Sequence, residues 1–457
     1  MKNLLMVCLL FLGVQTGYAQ CNNSGPVTHY LSQTGTGEIY RPNGSAWKGG
    51  DTLKITGTNY SVIEFYGVGG DACRDLVIMP QSKLTTTIFR FKGECHNIKL
   101  WGGPNPYGIK VSGGSLAIAK SHHIWADNIE CTGGSLGVHC KQDYDPADPV
   151  TWQPGFVMAK MRFTNLWVHD INGEGFYIGH TQPDGVVFNG VNRVPIRLDS
   201  VEISNCIVER TQWDGIQLSN ARNGCKIFNN TVTDYGMLNM GSQQAGIILG
   251  SNTNGDVYNN KITRGTGNGI QLFGYGVINC YNNTLENCGD NGQTIGQQSF
   301  YASDYITQTE SNPKQTVLIN NNVIKYPKTS GAIMVTGYAN NSNPSTVDGN
   351  KVCLVSPPSN WQSVYVKVYT AGSNVTSNVI DCNAAVVVLP VKFTKFQAQK
   401  TADKTYLVTF EVEEDASLNH YEVVIIDPVT KKEKILKIIL PDGKVQGKKT
   451  YTQTIQL

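Results

Sequence analysis

Charged side chains are scarce in this chain: they make up 16% of 457 residues and leave a formal net charge of +2. Nucleic-acid binding needs a basic footprint, and an anionic membrane surface needs clustered lysines and arginines, so neither partner is expected. Long apolar runs are missing as well. The stretch from Leu4 to Val14 falls short of the roughly 20 residues a membrane span requires. Lys2 precedes it and Gly17-Tyr18-Ala19 follows it, the layout of an export signal cut after Ala19, with a soluble chain starting at Gln20. Unbroken helix-forming segments are also lacking, because glycine, at 48 residues, and asparagine recur throughout. Such a composition favours strands and tight turns. Removing Cys8 with the signal leaves 11 of the 12 cysteines, an odd number spread from Cys21 to Cys382. That is no compact disulfide framework. Several are expected as small apolar residues of an interior, and Cys280 with Cys288 is one pair that could bridge.

What the sequence does have is repetition. An asparagine followed by a short strand-like run recurs at Asn97, Asn128, Asn165, Asn205, Asn230, Asn260, Asn283, Asn322, Asn350 and Asn378. The steps range from 23 residues (Asn260 to Asn283) to 40 (Asn165 to Asn205). Each of the first eight is followed by a glycine opening a second apolar run: Gly108, Gly137, Gly175, Gly215, Gly246, Gly269, Gly292 and Gly331. A near-constant offset inside a variable period means a fixed rung carrying loops of different length, which is a solenoid. Asparagine at a corner tolerates left-handed backbone angles and can stack its amide on the copies above and below. Glycine relieves the next bend. Runs such as Gly215-Ile216-Gln217-Leu218 alternate inward and outward side chains with the period of a strand. Helical solenoids are excluded, since glycine and asparagine recur where helices need good formers.

The segments GIQLSNARNGCKIFNNTVTD and GIILGSNTNGDVYNNKITRGTGNGIQLFG resemble the right-handed parallel β-helix repeat of bacterial polysaccharide lyases and pectin-active hydrolases. The earlier GDTLKITG resembles the capped entry of that fold. This resemblance covers roughly residues 26 to 385 and implies an all-β chain with about ten or more coils; the paired-aspartate and histidine-glycine signature of the polygalacturonase group is not found. After NAAVVV the repeats stop and charges become frequent. Alternation in TYLVTFEVEE, HYEVVIID and EKILKIIL, divided by Asp-Pro and Pro-Asp-Gly turns, predicts antiparallel strands of a small β-sandwich. The opening LPVKFTKFQA is similar to immunoglobulin- or fibronectin-like modules ending secreted Bacteroidetes proteins, which implies a spacer or binding module. The expected division is therefore a signal over residues 1–19, a β-helix over 20–388 and a β-sandwich over 389–457.

Stacking turns equivalent positions on successive coils into columns roughly 4.8 Å apart. Two residues past the repeat glycines, an outward column is predicted as Lys110, His139, Tyr177, Gln217, Ile248, Gln271, Thr294 and Ile333. Just before the glycines, Glu174 and Asp214 fall on adjacent coils, with Trp213 and His180 close by in sequence. Neighbouring carboxyls push one pKa upward, which suits glycosidic hydrolysis. Alternatively Lys110, His139 or Tyr177 takes a proton beside a uronate carboxylate while a cation offsets the developing charge. Trp213 would stack on a sugar ring, with Gln217, His180 and Gln271 as further substrate contacts. The plainer reading of the acidic pair is a structural ion or a solvated patch. A second candidate is the loop after Cys140, where Asp143, Asp145 and Asp148, with Lys141 and Trp152, could hold calcium or form a solvated acidic loop. A further protrusion is expected around Asp184 to Arg197. His122-His123 lacks a third histidine at metal spacing, while His169 with Glu209 and Asp170 with Arg210 read as cross-coil pairs.

The expectation is thus a secreted or cell-surface monomer acting on an acidic polysaccharide, as a lyase before a glycosidase. Its rival is a non-catalytic glycan-binding or adhesive protein.

Overall fold

The computed structural model describes residues 25–32, 38–41, 47–144, 156–290, 298–304, 314–328, 331–337 and 342–384, together with strands between 392 and 456. The expected signal, residues 1–19, and the expected boundary near 388 lie outside them. One parallel sheet of 13 strands runs from Thr28–Leu31 to Asn374–Thr376. A second sheet of 22 strands forms the other two sides of the coil. These two sides are joined at one end by the nine-residue strand Leu84–Lys92, whose first half pairs with Ile109–Ser112 and whose second half pairs with Leu116–Ile118. Beyond it a left-handed glycine, Gly113 and then Gly133, bends each coil between the two sides.

Burial alternates as the sequence pattern requires, in Thr52–Ile55 and Leu76–Pro80 for example. One continuous apolar column results, with Phe65, Phe89 and Phe91 stacked at 5.5–6.0 Å near its start. Among the described residues seven free cysteines are buried, Cys280 and Cys288 among them, so that pair does not bridge. Burial pushes the Cys206, Cys225 and Cys288 thiols up to about 12, and they act as small apolar fillers. Cys353 is bonded to Cys382, and Cys73 is also in a disulfide. Strands Lys392–Ala402, Thr405–Glu414 and Gly447–Gln456 form an antiparallel sheet, and Tyr421–Ile426 pairs antiparallel with Glu433–Ile439. Pairing therefore changes from parallel to antiparallel after the coils, as the alternation predicted.

The repeat asparagines divide into two roles. Asn128, Asn165 and Asn205 take left-handed angles at the corner after the 13-stranded sheet, and from the next coil onward Asn229, Asn259, Asn282 and Asn321 hold that place. The residue one step further points inward. It is apolar in the first coils (Ile129, Leu166, Cys206) and asparagine thereafter: Asn230, Asn260, Asn283, Asn322, Asn350 and Asn378. Each of these six amides donates to a carbonyl of the preceding coil, and the first five donate also to the next asparagine's Oδ1 at 2.8–3.0 Å. Asn97 is not part of this corner. It lies inside His96–Trp101 opposite His123, at a different bend that is also left-handed.

The glycines need a similar correction. Gly137, Gly175, Gly215, Gly246 and Gly269 form one column, and a Cβ on any of them would come within 2.5–2.7 Å of a carbonyl oxygen on the next coil. Close approach of coils, rather than a left-handed bend, requires glycine there. The column continues through Ser299 and Ala332, not Gly292 and Gly331. Gly292 lies outside the described residues. At the other end Gly108 precedes Ile109, which pairs with Ile129, so Gly108 stands level with Asn128 and outside the glycine column.

The ladder yields a stability prediction. Asn283→Ala removes four buried hydrogen bonds and should cost about 4 kcal/mol at roughly 1 kcal/mol per bond. Asn205→Gly, which keeps the left-handed corner, should cost well under half as much. Urea unfolding of both variants distinguishes them, and equal losses would contradict the two-role assignment.

Candidate active site

Register places the outward column as Arg90, Ala117, His139, Tyr177, Gln217, Ile248, Gln271, Tyr301 and Met334. Four of the predicted members, His139, Tyr177, Gln217 and Gln271, are brought together, along with Ile248. Lys110 is not among them. Its place, set by the Gly108 register, is on the adjoining side, where its Nζ meets Glu130 Oε1 at 2.6 Å. Tyr301 and Met334 stand where Thr294 and Ile333 were expected; Thr294 lies outside the described residues.

Around His139 the surface is polar. The His139 ring lies 6.0 Å from that of Tyr177, and Lys141 Nζ sits 4.2 Å from the Tyr177 ring centroid. Lys141 also meets Asp143 at 3.0 Å, and His139 Nε2 approaches the same carboxylate at 3.8 Å. Burial holds His139 below the ordinary histidine range; Asp143 opposes this, while Lys141 and Arg90 reinforce it. His180 is lowered by burial and by Lys141, and its Nδ1 accepts the Gln182 N–H. Two neutral imidazoles, a phenol and a lysine therefore share this end of the face. Lys141 belongs to the loop read as a separate candidate. It joins the histidine column because its strand ends one residue earlier, at Cys140. Asp143 pairs with Lys141, and Asp145, Asp148 and Trp152 lie outside the described residues.

Glu174 and Asp214 are on adjacent coils as predicted, linked through the Gly175 N–H that donates to the Asp214 carbonyl at 3.0 Å. Both are buried, at 3% and 1% exposure. Asp214 Oδ1 accepts the Ala245 N–H at 2.6 Å, while Oδ2 has no partner among the described residues. Burial pushes the Asp214 carboxyl up to about 8; the Ala245 N–H pulls it down and Glu174 raises it further. Glu174 is also raised by burial, against the pull of Lys141. The Gln217 Nε2 and Trp213 Nε1 atoms are likewise buried and without a partner among the described residues. Trp213 lies across Gly173, where a Cβ would come 3.4 Å from the indole. Two coils on, Asn268 repeats the Asp214 geometry without a charge: its Oδ1 accepts the Gln298 N–H at 3.0 Å and its Nδ2 donates to Gln271 at 2.8 Å.

Beyond Gln217 the face turns apolar, with Ala245, Ile248 and Phe273 packed against Tyr301 outside the main core. Protrusions flank it. The expected one is a hairpin, Val186–Phe188 with Val191–Arg193, and Phe188 stacks on Tyr144 at 4.3 Å. On the other side the 236–243 segment exposes Met237, Leu238 and Met240.

The adjoining side carries a cluster that the sequence pairs only hinted at. His169 lies between Glu130 (3.3 Å) and Asp170 (2.6 Å), and Asp170 is gripped by Arg210 through two bonds of 2.6 and 3.1 Å. His169 is in register with Glu209. With His169 and Glu130 buried, Asp170 and Arg210 more exposed, and all of them mutually paired, these groups fit the cross-coil reading. His122 and His123 meet through their Nδ1 atoms at 2.9 Å, and burial and Lys160 lower His123 to about 4. No group of three metal-ligating side chains occurs among the described residues.

Residues 184–384 match the family described as the right handed beta helix region. Among solved structures, pectate lyase Pel9A is similar at 12% identity and a TM-score of 0.42, over 79% of this chain and 82% of that one. The alginate lyase from Paenibacillus sp. str. FPU-7 is similar at 12% identity and a TM-score of 0.31, over 76% and 99%. The Dettilon tailspike protein (gp208) follows at 10% identity and a TM-score of 0.35, over 89% and 88%. No curated protein sequence matches the chain. The protein is a right-handed parallel β-helix protein.

Asp214 generates a pH prediction. Its carboxyl is raised in the folded chain to about 8 from its ordinary value of 3.8, so between those values the unfolded chain releases a proton that the folded chain keeps. Stability is therefore lost as pH rises through that window. Asp214→Asn retains the acceptor for the Ala245 N–H and removes the titration. It should raise the melting temperature at pH 8 more than at pH 5, and an equal shift at both would refute the assignment.

Proposed function

We propose that this chain is an exported polysaccharide lyase acting on an acidic polysaccharide, with its centre at His139, Tyr177 and Lys141. The carrying observation is a lowered, neutral imidazole beside a lysine and a phenol on one outward face. Neutral His139 accepts the proton next to a uronate carboxylate, and Lys141 offsets the charge that builds on that carboxylate. The Tyr177 hydroxyl supplies a proton to the departing glycosidic oxygen as the carbon–carbon double bond forms. Glu174, within the field of Lys141, and Asp214 beside it are buried on the same two coils as Tyr177 and Gln217, Gln217 and Gln271 extend the surface, and His180 and Trp213 edge it. Lys110 has no part. Residues 1–19 direct export, 20–388 form the solenoid, and 389–457 serve as a spacer or binding module of a monomeric secreted or surface protein.

A second reading, a non-catalytic glycan-binding protein, draws on the burial of Glu174 and Asp214, which seals the two carboxyls a glycosidase would need. An ultraviolet and reducing-end screen over acidic and neutral polysaccharides, with and without calcium, separates these possibilities. Growing absorbance marks a lyase, reducing ends alone mark a glycosidase, and retention on immobilised glycan without turnover marks a binder.

With a lyase substrate in hand, Tyr177→Phe and His139→Ala should each lower kcat by about 100-fold or more with melting unchanged. Because His139 is held low, the acid limb of the rate profile should fall below about 6.5, the ordinary histidine value. Full activity in both variants would remove this centre from consideration.

A further inference from the structure

An open cleft of about 500 Å³ lies away from the His139 face, at the corner where coils enter the 13-stranded sheet. Its origin is in the sequence. Gly224, Gly255 and Gly276 line it, all with positive φ (90°, 148° and 66°), and a Cβ on Gly224 would meet nothing within 4 Å. Gly224 and Gly276 thus bring two coils into the sheet without a side chain at the bend, while Gly255 lies just inside its strand, in register with Cys225 and Ile278. The lining spans five coils, from Asn223 to Asn343, or about 19 Å at roughly 4.8 Å per strand spacing.

The lining combines an apolar floor with unspent polar groups. Val277 is 53% exposed, and its register neighbour is Thr316. Asn343 donates to the Thr316 hydroxyl at 3.0 Å, and its amide oxygen makes no hydrogen bond among the described residues. The side chain of Asn254 has no partner among them either. Asp256 is steadied by Asn279 at 2.6 Å, and Lys314 makes no ion pair among the described residues. One acid and one base leave the cleft without net charge.

We infer that this cleft is a second, non-catalytic binding site for a short run of uncharged sugars. A pyranose offers an apolar face of C–H groups and a rim of hydroxyls that both donate and accept. Val277 matches the first, and the amides of Asn254 and Asn343, Thr316, Asp256 and Lys314 match the second. A lone apolar residue ringed by amides suits neither a peptide strand, which would seek a free sheet edge, nor a purely anionic ligand, which would seek several cations. The site is independent of the centre proposed above: it lies on a different corner and takes an uncharged segment rather than a uronate.

The test uses the full chain, titrated calorimetrically with short neutral oligosaccharides (gluco-, xylo-, manno- and galacto-series) and with acidic ones. At least one neutral series should bind, and Val277→Asp and Asn254→Ala should each weaken it by about tenfold or more, 1.4 kcal/mol. Val277 is exposed, so unchanged melting certifies that variant's fold. Tyr177→Phe should leave this binding untouched, which keeps the result separate from the fate of the proposed lyase centre. Absence of binding by every neutral series, binding by acidic oligosaccharides alone, or affinities within about twofold of wild type in both cleft variants would overturn the inference.

Discussion

Each strand of the coils satisfies its N–H and C=O groups on the coil before and the coil after it, in parallel register. A buried amide group left unpaired is costly, so register cannot slip, and every position is obliged to stack on its own kind. The rest of the structure follows from that obligation. Inward positions become columns of Ile, Val, Leu and Phe, while outward positions become columns of whatever the surface needs. Loops are free to vary only at corners, which is why coils of very different length share one cross-section.

Corners are where the obligation is hardest to meet, since a bend breaks the strand pairing and leaves polar backbone facing the core. The inward amides from Asn230 to Asn378 solve this by bonding both to backbone and to one another. A second corner shows an electrostatic version. Asp170, Arg210, Asp234 and Arg264 all hold φ near 50° and alternate in sign along the axis, with Arg210 clasping Asp170 and Arg264 clasping Asp234. These pairs are largely exposed and each contributes little by itself. Their value lies in choosing, among outward residues that tolerate a left-handed bend, neighbours that do not repel.

Much of this was legible in the sequence because stacking writes itself as repetition. The inward asparagines, the glycine column from Gly137 to Gly269 and the pairing of Asp170 with Arg210 were all visible. The errors share one cause. Different corners of the coil draw on the same small or amide residues, so a glycine or asparagine identifies a corner without saying which. Gly108 was therefore placed with Gly137, when its true neighbour is Asn128, and that one-corner slip carried Lys110 onto the wrong side of the solenoid. Ser299 and Ala332 were missed because the pattern sought glycine, whereas the column tolerates other small residues at its far end. The meeting of Lys141 with His139 and Tyr177 was hidden for another reason: it depends on how a loop leaves its strand, which no periodicity records.

Asp214 and Asn268 bring these threads to the site. Both precede a column glycine, and each accepts a backbone N–H from the following coil. The amide accomplishes this without charge and uses its remaining donor on Gln271. The acid does it in a fully buried place beside a second carboxyl, and its other oxygen has no partner among the described residues, nor has the Gln217 amide nitrogen. Capping the corner therefore does not require a carboxyl there, and burial makes one costly. Local rules that are broken without a compensating contact tend to mark function rather than folding. Here the breach lies one coil from Tyr177, whose register partner is Gln217, and beside Glu174, whose carboxyl is within the field of Lys141. The same stacking that makes the solenoid regular thus isolates the few positions at which regularity has been given up.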